Sequence, residues 1–274
     1  MERPRTDTDI FKEFIGREQD LRAIPRYNMY DVMVYRTNLF THSHRTATIV
    51  RALSPLAKQV FGSSYDSRRA EILGYVHDDA EIIFGDIQAG NKSKMTDAQL
   101  QEVSDAERAG IYDIAARFPR KVGGYLYIDL LADAMDHSSL ESQVVSYADK
   151  YDAMGEALHE VYAGNPHFTM NVVNEYGRIP TPPEYYHGYF GAFLDKFPEM
   201  QPLLELPFPM FEPVALLDYP KIINGRQLHT QENIHLSVGD HHYDTWKQII
   251  LADSIDEVAR DLYVPKESLF LSRR

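Results

Sequence analysis

Apolar residues recur at helical spacing through the first 165 positions. Residues 8–22 alternate charged and apolar groups as a surface helix does. Thr46, Ile49, Val50 and Leu53 form a stripe, with His42 one turn earlier on the same face. Pro55 predicts the end of that helix or a new turn. From Ser67 a second helix carries Ala70, Leu73, His77, Ala80, Glu81 and Phe84 on one face, and Gly85 is its stop. Residues 96–118 read as an exposed helix. Residues 125–135 and 139–162 give two more, the latter with Val144, Val145, Ala148, Tyr151 and Leu158 turned inward. Gly164, Asn165 and Pro166 break it. Beyond this point the pattern changes. Prolines stand at 180, 182, 183, 198, 202, 207, 209 and 213. Residues 184–197 predict an aromatic-rich helix, residues 243–262 another, and residues 221–237 short strands. The chain therefore divides into an all-α core over residues 1–165 and a mixed, Pro-rich extension over 166–274. The extension is either a small separate domain or a wrap around the core.

Composition narrows the function classes. The 274 residues are 44% hydrophobic and 25% charged, enough for a sizeable core. With no cysteine there is no disulfide, thiolate ligand or thiol nucleophile, which suits a reducing cytoplasm. No signal-peptide core opens the chain and no apolar run is long enough to span a bilayer, so no membrane role is expected. A net charge of −13 disfavours nucleic-acid polymers as partners. A small anionic substrate remains compatible if cations gather locally.

The stretch GYVHDDAEIIFGDI, residues 74–87, sets His77, Asp78 and Asp79 inside an otherwise apolar pattern. Burying such groups is costly unless their charge is paired, and a metal ion is one such partner. His42, the His77–Asp78 pair and Asp149 in YADKYDA place inward polar groups on three predicted helices. Imidazole with carboxylate suits one divalent transition metal: manganese, cobalt, iron or zinc. Two His and two Asp leave positions open for water and substrate, as catalysis requires. Taken singly, His42 also reads as an ordinary core histidine, and Asp149 as a helix cap or a partner of Lys150. Neighbours on a helix stand about 100° apart, so His77 and Asp78 reach one ion only if it lies in the groove beside the helix. His44 is the rival of His42, about 200° around the helix and off the stripe.

The order H…HD…D resembles the HD-domain metal-dependent phosphohydrolases. THSHRTATIVRAL (41–53), GYVHDDAEIIFGDI (74–87) and YADKYDA (147–153) resemble the YfbR-like 5′-deoxynucleotidase branch, over roughly residues 20–160. The resemblance implies a helical bundle with a central metal, removal of phosphate from deoxynucleoside 5′-monophosphates, and a homodimer. It implies His42, His77, Asp78 and Asp149 as metal ligands, and Glu81 beside Asp78 in catalysis. Two departures stand out: the family's Glu is here Thr41, and its tryptophan near the nucleotide is here Tyr27.

Glu81 follows His77 by one turn and faces the same region, where a carboxylate positions water or shuttles a proton. It also reads as a partner of a metal-bound histidine. Arg26 offers a planar fork for phosphate, Tyr27 a ring to stack on sugar or base, and Lys92 a cation in a loop after the HD pair. Lys94 reads as surface. Asp86 either accepts from a sugar hydroxyl or ends the helix. Only His137 lies between Asp78 and Asp149, too few histidines for a second metal. Two alternatives share these residues: release of triphosphate from a deoxynucleoside triphosphate, and non-catalytic nucleotide binding with a protein partner on the extension.

Overall fold

The computed structural model describes residues 10–28, 30–85, 95–169, 172–174, 177–213 and 241–252. The amphipathic stretch over 8–22 yields only a short helix, α1 (Arg17–Arg22), entered from Gly16 at φ 87°. Arg17 and Leu21 form its buried side. Asn38 then opens α2 (Leu39–Phe61), its side chain accepting the Thr41 N–H at 3.0 Å. His42, Thr46, Ile49, Val50 and Leu53 are all buried along one side of it. Pro55 does not end this helix, contrary to expectation. It sits on the exposed face, and the carbonyl its missing N–H would have met belongs to exposed Arg51, within reach of water.

Asp66 caps α3 (Ser67–Val76) by accepting the N–H groups of Arg68 and Arg69. The single helix expected from Ser67 to Phe84 is in fact two. After Val76 comes a turn, His77–Ala80, and then α4 (Glu81–Phe84). Here the Asp79 N–H meets the Val76 carbonyl at 3.0 Å and the Glu81 N–H meets that of Asp78 at 2.9 Å. Closure over three residues tightens the chain relative to an α-helix. Gly74 brings α3 onto α2, because a Cβ there would stand 2.9 Å from the Ala47 Cα.

A Thr96–Gln99 capping box starts α5 (Asp97–Arg117), which buries Ile111 and Ile114 rather than being exposed throughout. β1 (Lys121–Val122) and β2 (Tyr125–Leu126) pair antiparallel, Val122 opposite Tyr125. They lead into α6 (Tyr127–Asp136) and α7 (Leu140–Tyr162). Asp133 makes the corner between those helices. It accepts the N–H groups of Ser138 at 3.2 Å and Ser139 at 3.1 Å and pairs with Arg69 at 2.7 Å.

A second antiparallel hairpin follows, β3 (Val172–Asn174) and β4 (Gly177–Ile179), then α8 (Pro182–Gly191), α9 (Phe193–Lys196), α10 (Gln201–Leu204) and α11 (His241–Ala252). The strands expected over 221–237, and the last part of the helix expected over 243–262, lie outside the described residues. α2, α3 and α7 pack together as the centre, with α8 and α11 against α7. The aromatic residues after 184 find their place there: Phe190, Phe193 and Phe211 surround the buried ring of Tyr147. Among the described residues, no helix is long and apolar enough to cross a membrane.

Candidate metal centre

The first turn of α2 supplies His42, the turn after α3 supplies His77 and Asp78, and the middle of α7 supplies Asp149. His42 donates from Nδ1 to Asp152 Oδ2 at 2.7 Å. Its Nε2 faces Asp149 Oδ1 at 3.1 Å and Asp78 Oδ2 at 3.5 Å. His77 donates from Nδ1 to the Gly74 carbonyl at 2.9 Å. Its Nε2 is buried, has no hydrogen-bond partner among the described residues, and lies 3.3 Å from Asp78 Oδ1. One ligand atom each from His42, His77 and Asp78 fall within 4.8 Å of one another. The tight turn resolves the difficulty of neighbours diverging on a helix, because His77 and Asp78 leave the helical path and converge.

These atoms fit a divalent metal. A carbonyl only accepts, so the bond to Gly74 places the His77 proton on Nδ1 and leaves Nε2 its lone pair; Asp152 holds His42 by Nδ1 in the same way, so that Nε2 is the atom left to face an ion once it gives up its own proton. A buried imidazole nitrogen with nothing to bond is otherwise costly. The C-terminal end of α3 adds the negative end of its dipole. Asp149 joins through His42, while its other oxygen pairs with Lys150. Burial alone would raise the Asp149 carboxyl, but the Lys150 ammonium and the His42 ring hold it well below the carboxylate range. A second group, His42, Asp152 and Glu156, has the same ligand types. Its oxygens are already engaged: Asp152 by His42 and Trp246, Glu156 by Arg26, Arg45 and Thr37. The fully hydrogen-bonded set is a scaffold, and the set around His77 Nε2 is the metal candidate.

Asp79 stands apart from its neighbours. It is fully buried and gripped by Arg17 through two contacts of 2.7 Å, with the Tyr127 hydroxyl at 2.7 Å. The acid that followed HD so conspicuously thus anchors the turn. Glu81, half-buried, is the first residue of α4, directly after that turn. Arg26 comes to the cluster, its Nη1 4.0 Å from Asp78 Oδ2, while Nε is held by Glu156 Oε2 at 3.0 Å. Tyr27 differs from the expected stacking ring. Its φ of 52° turns it into the core, 7% exposed, with its hydroxyl donating to the Ala153 carbonyl at 2.6 Å and its ring edge-on to Phe168. Asp86, Lys92 and Lys94 lie outside the described residues. His44 bonds the Phe40 carbonyl and packs on Tyr75, lining a separate surface cleft of about 580 Å³. His137 is not in either ligand group; burial and the charges of Lys196 and Lys150 lower its ring to about 4.

Three buried residues of this centre escape a reading by apolar periodicity: Asp152, Glu156 and Trp246. A signal was present, since Asp149, Asp152, Glu156 and Glu160 recur every three or four residues along α7. An acidic stripe of that kind ordinarily marks a solvated face; here Asp152, Glu156 and Glu160 are buried.

A model of the 5′-deoxynucleotidase YfbR-like family matches residues 13–191. A 5′-deoxynucleotidase of Vibrio parahaemolyticus is 27% identical over 135 residues, 48% of this chain and 67% of that protein. The 5′-deoxynucleotidase YfbR of Shigella flexneri is 27% identical over 137 residues, 48% of this chain; the match spans 65% of the Shigella protein, slightly under two thirds of its length. A solved HD-domain phosphohydrolase from Listeria innocua, 19% identical, shares the fold with a TM-score of 0.53 over 82% of this chain and 99% of its own. With the helical bundle, the His77–Asp78 turn and the family match in agreement, the chain belongs to the YfbR-like 5′-deoxynucleotidase family.

Proposed function

We propose that this chain is a metal-dependent phosphohydrolase that removes the 5′-phosphate from (deoxy)nucleoside monophosphates. One observation carries the proposal: two imidazoles fixed through Nδ1 present both Nε2 atoms to Asp78. His42, His77, Asp78 and Asp149 would hold one divalent transition metal, from among manganese, cobalt, iron and zinc. When bound, such an ion lowers the pKa of a coordinated water to near neutrality and draws charge from a phosphoryl oxygen. Glu81 orients the attacking water and takes its proton. Arg26 binds phosphate oxygens with its terminal nitrogens while Glu156 fixes the other side of its fork. The Tyr27 ring, anchored in the core through its hydroxyl, lies 5.8 Å from the Arg26 guanidinium. Asp86 and Lys92, which lie outside the described residues, are the remaining candidates for substrate contact. The reading extends to a cytoplasmic homodimer acting on small nucleotides held by local cations, while the net charge of −13 disfavours nucleic-acid polymers.

The test is a phosphate-release screen over deoxy- and ribonucleotides with each of the four metals. Orthophosphate from monophosphates is the expected product. Triphosphate released from a nucleoside triphosphate, or tight binding without turnover, would overturn the assignment.

A further inference from the structure

The indole N–H of Trp246 donates to Asp152 Oδ1 at 2.7 Å, and the other oxygen of that carboxylate accepts from His42 Nδ1 at 2.7 Å. Trp246 lies on α11, outside the matched residues 13–191, and is fully buried. It is the only tryptophan in the chain. The core is shaped to receive it. A Cβ at Gly155 would stand 2.2 Å from the indole, so glycine is what leaves room for the ring on α7. The Arg45 guanidinium lies 5.4 Å from the ring centre, in cation–π range, while its Nη1 pairs with Glu156 at 2.9 Å. α11 is further fixed by the Tyr151 hydroxyl donating to the His242 carbonyl at 3.1 Å and by His159 Nδ1 against the Tyr243 hydroxyl at 2.7 Å.

We infer that Trp246 is a positioning residue of the metal centre, acting through Asp152 on His42. The inference rests on the reading of His42 as a metal ligand. A carboxylate bonded only at Oδ2 can swivel about its last torsion. Donation to both oxygens fixes its plane, and with it the ring and tautomer of His42. The second bond also satisfies the other oxygen of a fully buried carboxylate. α11 is thereby part of the metal centre rather than an appendage to it.

Because Trp246 is unique, biosynthetic replacement of tryptophan by the isostere benzothienylalanine removes this one N–H and preserves the shape. Trp246→Phe is the second variant. Each is compared with Asp152→Asn, His42→Ala and the double variant Trp246→Phe with Asp152→Asn. Mn²⁺ affinity is measured by chelator competition and thermal melting is recorded alongside. Loss of the N–H should weaken Mn²⁺ binding on the order of 10-fold, and Asp152→Asn between about 10- and 100-fold. The double variant should bind no more weakly than Asp152→Asn alone, since Trp246 acts through that carboxylate. Unchanged affinity in folded benzothienylalanine protein would overturn the inference. So would losses that multiply in the double variant, which mark a general packing role. If instead His42→Ala binds Mn²⁺ as tightly as the parent, the metal-centre reading itself fails, independently of Trp246.

Discussion

Arg17 and Asp79 form a two-pronged ion pair across 62 positions of sequence, with side chains 2% and 0% exposed. Arg17 also donates to the Tyr75 carbonyl, so one guanidinium fixes both the end of α3 and the turn that follows. Burial still outweighs Arg17 and Tyr127 in setting the Asp79 carboxyl, which lies above its usual range. Removing one partner of a buried pair leaves the other uncompensated. Arg17→Ala should therefore cost about 3–5 kcal/mol of stability. Urea unfolding would measure this; a loss below about 1 kcal/mol would show that the pair does not brace the turn.

Ligation and chemistry should separate at the HD turn. Asp78→Ala removes a residue lying 3.3 Å from His77 Nε2 and 3.5 Å from His42 Nε2. It should lose metal and turnover together. Glu81→Ala should keep the metal and lose turnover by roughly 10²–10⁴-fold, the usual worth of a proton-handling group. Elemental analysis beside steady-state kinetics decides the matter. Full turnover in Glu81→Ala would leave Glu81 a supporting role only.

Much of this site was legible because helical periodicity and chemistry coincide at His42, which shares a stripe with Thr46, Ile49, Val50 and Leu53. The HD turn was not legible as a turn. No glycine or proline interrupts residues 75–84, so the helical pattern extrapolates straight through it. The break is made by closure of hydrogen bonds over three residues while Arg17 and Tyr127 grip Asp79, and those partners lie far away in sequence. Pro55 misled in the opposite direction, since a proline on the exposed face of a long, well-packed helix does not stop it. Tyr27 shows a third limit. It sits in the core with a left-handed backbone angle, a conformation that nothing in its residue type foretells.

Metal uptake should be linked to a proton on His42. In the metal-free protein, burial and the Arg26 charge lower this ring, yet the bonds to Asp149 and Asp152 carry it up to about 9 from 6.5. A raised pKa means the folded state binds the proton more tightly than the unfolded state. That stabilisation is fully present below about 6.5 and is lost as the pH rises through about 9. The melting temperature of metal-free protein should fall across this window, and less so in His42→Gln. At pH 7 the charged ring must give up its proton to offer Nε2 to an ion. Titration with Mn²⁺ in buffers of differing ionisation enthalpy should show about one proton released from this site. No release would count against His42 as a ligand.

Arg26 should discriminate charge from geometry. Its Nε is bound by Glu156 and its Nη1 lies 4.0 Å from Asp78, so the fork is held with one edge toward the metal candidate. Lysine keeps the charge but has neither the planar fork nor the Nε that Glu156 holds. Arg26→Lys should therefore weaken nucleotide binding although the net charge is unchanged. Losing a charge-assisted contact costs roughly 1.5–3 kcal/mol, about one to two powers of ten in affinity. Arg26→Ala should be at least as weak, and it also leaves Glu156 with Arg45 and Thr37 as partners. Metal content should stay at the parental level in both variants, because Arg26 is not a ligand. The comparison is made by nucleotide titration with elemental analysis in parallel. Parental affinity in both variants would assign Arg26 to the scaffold around Glu156 and move the search for the phosphate site to Lys92.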